Sequence, residues 1–327
     1  MFDFYILPVY FHFGYQLGTQ EFKGQRFRVP YIEFTGEPNL HKKIDIDEQA
    51  PDKRIKFTWD IRHNEMGYPG KSIDQAPDSC IKILFFGGST GYYGQPTIPA
   101  LLEQMLNEKL QGKSVYIANC SVVSSNHNQH LHALVEQFIG RKIDMVIFYG
   151  GYNENIQPLS YDPRPGYPYN FYYNNECAPW RMNLVKYSSI LGEIDKRDGI
   201  ITGIHSLRKR YTADKGKWYR SIADNYFKTL EKARLISHQT LESTTYQQTK
   251  FVAIYQPFIV PEEFQATNKY IIQQTHTSDY IYDINNFLDT VSRKEVIFYD
   301  NIHVSQKGNE LVATKLAEIT LNVLNQK

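Results

Sequence analysis

The sequence predicts an α/β protein in which a mostly parallel sheet of about five strands lies between two layers of helices. Short apolar runs, rich in β-branched and aromatic residues, recur along the chain and have the character of strands covered on both faces. Segments with apolar residues at helical spacing separate these runs. This alternation is typical of a three-layer α/β/α sandwich, whose ligand crevice lies at the carboxyl ends of the strands. Functional residues are therefore expected directly after strands.

The predicted elements follow the order βαβαβ, then an insertion, then αβα. Strands are predicted at 81–86 (IKILFF), 115–118 (VYIA), 143–149 (IDMVIFY), 251–255 (FVAIY) and 296–299 (VIFY). Helices are predicted at 98–110, 131–139 and 309–324, where apolar residues recur at helical spacing.

The chain is expected to consist of an N-terminal extension, residues 1–78, that wraps a main domain, residues 79–327. An aromatic-rich insertion interrupts the main domain at about 155–219. Its first part, YDPRPGYPYNFYYNNECAPW, is too rich in Pro, Gly and Asn for a regular core element. A disordered linker would be poor in aromatics, so we expect ordered packing over the rim of the sheet. Its tyrosines could form a platform for sugar rings or serve packing alone.

The composition excludes several functional classes. Lys and Arg number 36 against 35 Asp and Glu, a net charge of +1, so nothing in the charge favours nucleic acid. Cys80, Cys120 and Cys177 stand at unrelated spacings and predict free thiols, not a disulfide framework or a metal site. The absence of a signal peptide pattern or a long apolar run favours a cytoplasmic protein without membrane association. The oligomeric state is not readable from the sequence.

A glycine-rich turn closes the first predicted strand. The chain reads FFGGSTGYYG there, so Ser89 stands between a strand and a helix, after two glycines that permit a sharp turn. A hydroxyl at such a turn is exposed beside backbone N–H groups. The turn lacks the Lys-Ser/Thr of a P-loop, since Gln95 and Pro96 follow Gly94. Read alone, the motif is more typical of a structural turn than of a nucleophile.

An Asp-x-x-His pair lies on the loop before the last predicted helix, in the string YDNIHVSQKGNELVA. Asp300 and His303 are three residues apart on a turn, so their side chains can touch. A neutral imidazole can take a serine proton if a carboxylate fixes its tautomer and stabilises the imidazolium. A lone pair of this kind more often caps a helix. Its position at the crevice favours a general base.

Two further predicted strands also end in polar residues. The third is followed by GGYNEN, with Asn153 and Glu154 after two glycines, and the second by NCSVVSSNH, with Asn119 and Ser121. An amide at a strand end can donate to an oxyanion. Each motif alone also fits a turn with local hydrogen bonds.

Together these strings resemble the conserved blocks of the SGNH (GDSL-like) hydrolase family, over residues 81–324. GGST resembles block I, with Gly88 in place of a common Asp, and Gly-Tyr-Asn-Glu at 151–154 is similar to block III. DNIHVSQKGNELVA resembles block V closely and is the most specific string. Block II departs from the family pattern, because Asn-Cys-Ser at 119–121 replaces the usual Asn-x-Gly.

The resemblance implies a flavodoxin-like SGNH fold and a serine esterase or O-acyltransferase that works through an acyl-serine. It implies the catalytic residues Ser89, His303 and Asp300, an oxyanion hole made by the N–H groups of Ser89 and Ser121 with the Asn153 amide, and a substrate site that includes Gly88, Gly151 and Tyr152. No cofactor and no metal are implied.

The expected substrate is an acetylated carbohydrate. The stretch NEMGYPG at 64–70 resembles one that precedes the first strand in SGNH proteins of bacterial surface-polysaccharide loci. The residues favour neither hydrolysis nor acyl transfer, and a lipase is less expected because no long apolar lid is evident. The alternative is a noncatalytic glycan-binding or polysaccharide-assembly protein that retains the fold.

Three histidines, His127, His130 and His132, crowd the start of the second predicted helix. The i, i+3 spacing of the first two could present two imidazoles to a metal. No carboxylate or cysteine nearby completes a ligand set, so solvated or capping histidines are expected here.

Overall fold

The computed structural model describes residues 27–50, 53–285, 287–290 and 297–325. Two antiparallel strand pairs come first: β1 (Phe27–Val29) pairs with β2 (Glu33–Thr35), and β3 (His41–Ala50) pairs with β4 (Lys53–Arg62). The sequence analysis predicted no strands in this part of the chain.

The N-terminal part shares the core of the main domain. Ile32, Phe34, Tyr68 and Ile73 are buried in the same apolar cluster as the central sheet. The Tyr68 hydroxyl also donates to Gln137 Oε1 at 2.5 Å, which ties this part to the main domain.

The central sheet has five strands, all parallel, in the order β6-β5-β7-β8-β9. The strands are β5 (Ile81–Gly87), β6 (Val115–Asn119), β7 (Met145–Gly150), β8 (Lys250–Tyr255) and β9 (Ile281–Asp283). This 2-1-3-4-5 order is the flavodoxin-like arrangement, and the predicted three-layer sandwich is confirmed. The strand order reverses between β5 and β7, where such folds bind ligands.

The fifth strand is not the predicted one. The edge of the sheet is formed by Ile281–Asp283, beside β8, and not by 296–299. Of the predicted strand, Val296 lies outside the described residues, and Phe298 forms only an isolated antiparallel bridge with Val304. This bridge closes the loop that carries Asp300 and His303. Phe298 is therefore buried at the base of a turn and not in a strand of the sheet.

Helices cover both faces of the sheet. They are α1 (Ser89–Tyr92), α2 (Ile98–Lys109), α3 (His127–Ala133), α4 (Tyr152–Ser160), α5 (Pro179–Tyr187), α6 (Ser189–Asp198), α7 (Ile204–Tyr211), α8 (Lys215–Thr240), α9 (Gln265–Thr275) and α10 (Gln306–Asn325). A π-helical turn, Leu134–Phe138, follows α3 within the span predicted as one helix at 131–139. Among the described helices, none is both long and apolar enough to cross a bilayer.

The two helical layers bury alternate residues of each strand, as the period of two in a strand requires. In β5, Ile83 and Phe85 pack with α2 and α10, whereas Leu84 and Phe86 pack with α3 and α8. All seven β5 residues are buried, which explains the continuous apolar run in the sequence.

The insertion is mostly helical. Residues 161–178 contain turns and one π-helical segment, Tyr172–Glu176, and the helices α5, α6 and α7 follow. The irregular first part was predicted from the sequence, but these helices were not. Tyr226 and Leu230 of α8, the helix that leads back to the sheet, are fully buried against it.

Candidate active site

Ser89 lies where β5 ends at the point of strand reversal. The strand runs to Gly87, and Ser89 is the first residue of the short helix α1, with Gly88 as its N-cap. Ser89 is 9% exposed, so the residue is almost buried at this turn. The chain therefore forms a strand-to-helix turn at Ser89, as the sequence predicted.

His303 meets Ser89 across 214 residues of sequence, and Asp300 meets His303 on the same loop. His303 Nε2 lies 2.8 Å from Ser89 Oγ, and His303 Nδ1 lies 2.6 Å from Asp300 Oδ2. The loop that carries the pair is fixed at its base, where Tyr299 N–H donates to His303 O at 2.8 Å and Ser305 N–H donates to Ile297 O at 2.7 Å. Backbone pairing thus aims the imidazole at the serine.

The carboxylate of Asp300 determines which nitrogen of His303 carries the proton. It accepts from Nδ1–H, which leaves Nε2 as an acceptor for the Ser89 O–H. Burial acts to raise the pKa of Asp300, but hydrogen bonds from the His303 ring and from the N–H groups of His303 and Ile302 outweigh it, and the pKa is lowered. Asp300 is therefore ionised at neutral pH and stabilises an imidazolium.

The Asn153 amide lies beside the serine turn, on the second residue of α4. A Cβ on Gly88 would come within 2.6 Å of Asn153 Nδ2, so the amide packs directly against the residue before Ser89. Asn153 Nδ2 donates one hydrogen to Ser125 O at 2.6 Å. An amide nitrogen has two hydrogens, so this bond fixes the group and leaves the second donor free for an oxyanion.

Ser121 is fully buried under the same turn. Its N–H donates to Asn119 Oδ1 at 3.0 Å, and its hydroxyl has no hydrogen-bond partner among the described residues. A Cβ on Gly91 would meet Ser121 Oγ at 2.4 Å, so the side chain points at the underside of α1. The role of its N–H as an oxyanion donor stays a prediction, and that role requires the Asn119 carbonyl to share the hydrogen.

Gly151 and Tyr152 form the start of α4, on the other side of the strand reversal. Gly151 has a φ of +124°, and a Cβ there would meet the Tyr255 ring at 2.3 Å, so only glycine fits. The Tyr152 ring packs against Phe258 and Phe264. Burial, followed by the charge of Asp300, raises the pKa of Tyr152. Their contact with substrate stays a prediction.

The histidines on α3 are not solvated as the sequence analysis expected. His127 and His130 are 0% and 3% exposed, and burial lowers the pKa of each to about 3, so both are neutral. Only His132 is exposed. No group of three metal-ligating side chains forms anywhere in the described part of the chain.

The buried histidines support the oxyanion side of the site, a role that the sequence analysis missed. His130 Nε2 lies 2.7 Å from Ser125 Oγ, and His130 Nδ1 lies 3.0 Å from His127 Nδ1. Ser125 is the residue whose carbonyl accepts from Asn153. One sequence feature could have placed the start of this helix. Asn126 and Gln129 have the spacing of a capping box, and they form one at the start of α3.

Glu154 completes this support. Its two carboxyl oxygens accept from His127 N–H at 2.6 Å and from Gly151 N–H at 2.7 Å, so it joins the starts of α3 and α4. Burial raises the pKa of Glu154. The sequence alone gave no sign of this role, because Glu154 was noted only as the last residue of the string at 151–154.

A cleft of about 380 Å³ opens beside the triad. Tyr93, in its wall, contacts the His303 ring edge to face, with ring centroids 6.2 Å apart. The rest of its lining includes the charged or polar residues Asp60, Arg62, Lys71, Glu103 and Asn119. The NEMGYPG string reaches this cleft through Pro69 and Gly70.

Comparisons with known proteins add little to this geometry. No protein-family model matches the chain, and no curated protein matches it. A lipase from a goat rumen metagenome is 16% identical, covering 73% of this chain and 96% of its own, with a TM-score of 0.43. The acetylxylan esterase Axe2 from Geobacillus stearothermophilus is 14% identical, covering 76% and 96%, with a TM-score of 0.43. A lipase/acylhydrolase from Enterococcus faecalis is 13% identical, covering 75% and 98%, with a TM-score of 0.42. At identities this low, the activity has to be inferred from the residues of this chain itself.

Proposed function

We propose that the protein is a serine-dependent ester hydrolase or O-acyltransferase that works through an acyl-serine. The observation that carries this proposal is the continuous contact from Asp300 to His303 at 2.6 Å and from His303 to Ser89 at 2.8 Å. Nucleophile, base and orienting carboxylate lie in hydrogen-bond order, which is the arrangement that activates a serine hydroxyl.

In the first half-reaction His303 Nε2 takes the Ser89 proton as Ser89 Oγ bonds to the ester carbonyl carbon. The carbonyl oxygen becomes an oxyanion, which the free hydrogen of Asn153 Nδ2 and the N–H of Ser89 stabilise, with Ser121 N–H as a third donor. Collapse breaks the bond to the alcohol, which receives the proton from His303. The acyl-serine remains.

In the second half-reaction a hydroxyl attacks the acyl carbon, and His303 Nε2 removes its proton. The bond from the acyl carbon to Ser89 Oγ then breaks, and His303 returns the proton to Ser89. Water as the attacking group releases a carboxylic acid, whereas a sugar hydroxyl yields a new ester. The same side chains serve both outcomes, so the acceptor alone separates a hydrolase from a transferase.

The substrate class that we propose is an acetylated carbohydrate, including surface polysaccharide. Charged and amide groups lie in the wall of the cleft beside Tyr93, among apolar side chains such as Ile61 and Pro99. Such a mixed lining supports a carbohydrate ester, because sugars offer both hydroxyl groups and apolar C–H faces.

A noncatalytic glycan-binding protein is the second candidate. The observation that favours it is the Ser121 N–H, which donates to Asn119 Oδ1 and leaves the oxyanion hole with one donor fewer. This candidate predicts an intact fold and no turnover.

Hydrolysis of p-nitrophenyl esters of increasing chain length tests the proposal. We expect acetate to react fastest, and Ser89→Ala to lower kcat by about 10³-fold or more. His276→Ala is a matched control, because this exposed histidine belongs neither to the triad nor to the lining of the cleft. Equal rates for wild type and Ser89→Ala would contradict the proposal and favour the noncatalytic candidate.

A further inference from the structure

A second cleft, of about 540 Å³, lies where the N-terminal strands, α3 and the insertion meet. Its volume is in the range of about 300–1,000 Å³ that is usual for small-molecule sites. The lining includes three aromatic rings and several amides: Tyr31, Asn128, Gln129, Tyr167, Phe171 and Asn175. None of these residues belongs to the triad or to its oxyanion donors.

Hydrogen bonds between the walls hold the cleft open. Asn175 Nδ2 in the insertion donates to Glu33 Oε1 at 2.9 Å, and Gln129 Nε2 on α3 donates to Ile32 O at 3.1 Å. Gly166 has a φ of +83°, and a Cβ there would meet Asn128 Nδ2 at 2.2 Å, so the insertion approaches α3 as closely as glycine permits. The cleft is thus built before any ligand binds.

The aromatic rings are positioned for contact with a ligand. Tyr31 is 79% exposed at the tip of the β1–β2 turn, with a φ of +65° that is uncommon for a bulky residue. Arg164 covers one face of the Tyr167 ring at 3.7 Å, and Phe171 packs against its edge, with ring centroids 5.1 Å apart. Rings held in this way lose little entropy when a flat apolar ligand face stacks on them.

Ion pairs offset most of the charge around the cleft. Glu33 pairs with Arg28 at 3.8 Å, and Arg164 pairs with Asp162 at 2.6 Å and with Glu176 at 2.7 Å, so three carboxylates face two guanidinium groups. A lining of aromatic faces and amides matches sugar rings, which offer apolar C–H faces and hydroxyl groups that form hydrogen bonds. It gives no attraction to a strongly anionic ligand.

The cleft and the oxyanion side of the active site share one anchor. Asn126 Nδ2 donates to Tyr167 O at 3.0 Å, in the cleft wall, and the preceding residue, Ser125, accepts from Asn153. The cleft therefore lies one loop away from the amide beside Ser89.

From these contacts we infer that the second cleft binds an uncharged glycan chain, at sugar units remote from the ester that reacts at Ser89. The link to a reacting ester rests on the proposed function, whereas glycan binding itself does not. The aromatic insertion then has a definite role, since it supplies Tyr167 and Phe171 to the substrate.

Calorimetric titration with three neutral hexasaccharides (xylohexaose, cellohexaose and chitohexaose) tests the inference. We expect at least one to bind wild type and Ser89→Ala equally. Phe171→Ala and Tyr31→Asn should each weaken binding about tenfold or more, because each removes a stacking ring. Asn tolerates the left-handed backbone at position 31, so this variant keeps the fold even if Phe171→Ala does not. Tyr187→Asn, which removes a tyrosine that is 57% exposed on α5, is the matched control and should bind normally.

Two results would overturn the inference: no binding of any hexasaccharide to wild type, or binding that neither cleft variant weakens. Turnover of p-nitrophenyl acetate is measured on the same proteins. Glycan binding without turnover would contradict the proposed function but support the assignment of the cleft. Turnover without glycan binding would support the proposed function but contradict the assignment of the cleft.

Discussion

At the scale of single residues, Gly88 and Asn153 show why the serine turn has its sequence. The two touch so closely that position 88 has no room for a side chain while the amide stays in place.

We predict that Gly88→Ala displaces the Asn153 amide and leaves the fold intact. The added Cβ would come within 2.6 Å of Asn153 Nδ2, which is the end of a side chain and can move away. Loss of an oxyanion donor lowers kcat by about 10²-fold to 10³-fold with a smaller change in KM.

Kinetics with p-nitrophenyl acetate, together with thermal unfolding, measure this effect. The control is Gly216→Ala on α8, where a Cβ meets nothing closer than 3.5 Å and should leave kcat unchanged. An unchanged kcat in Gly88→Ala would show that the Asn153 amide has no part in the reaction.

The sequence was informative for residues close together along the chain and not for those brought together by folding. Asp300 and His303 are three residues apart on a turn, so their contact could be predicted from spacing. The burial of His127 could not, because it depends on how α8 packs over the start of α3, where the Tyr226 ring contacts His127.

At the scale of elements, the first four apolar runs were correctly predicted as strands, because a strand buried on both faces has a continuous apolar sequence. The run at 296–299 was misassigned, since a buried turn base is equally apolar. The β3–β4 pair was missed although the sequence alternates at 55–61 (IKFTWDI), the period of a half-exposed strand.

The helix α3 carries a prediction about stability and pH. His127 and His130 have pKa values of about 3 when folded and an ordinary value of 6.5. Between these values the unfolded chain binds protons that the folded chain does not, so stability falls as pH falls below about 6.5. Each histidine contributes a slope of about 1.4 kcal/mol per pH unit in that window.

We therefore expect His130→Gln to show a shallower loss of stability on acidification, by about 1.4 kcal/mol per pH unit. Urea unfolding of both proteins at about pH 7, 6 and 5 measures the slopes. The comparison between variants matters because the raised pKa of Glu154 acts in the opposite direction. Identical slopes would show that His130 is protonated in the folded protein.

At the scale of the whole molecule, the strand order determines where the site lies. The reversal between β5 and β7 brings the ends of these strands together, and Ser89 and Asn153 follow those two ends. The last helix, α10, packs on the opposite face from α3 and holds the His303 loop over the same crevice. The N-terminal part lines both clefts, and the insertion lines the second one.

The central claim is that Ser89 is a nucleophile activated by His303, and labelling with a fluorophosphonate tests it most directly. Intact-mass and peptide analysis should find one adduct on wild type, at Ser89, and none on Ser89→Ala. Labelling of His303→Ala should be slower by about 10²-fold or more, because the serine has lost its base, while His276→Ala labels like wild type. A wild-type protein that takes no adduct at Ser89, or a His303→Ala protein labelled at the wild-type rate, would contradict the claim.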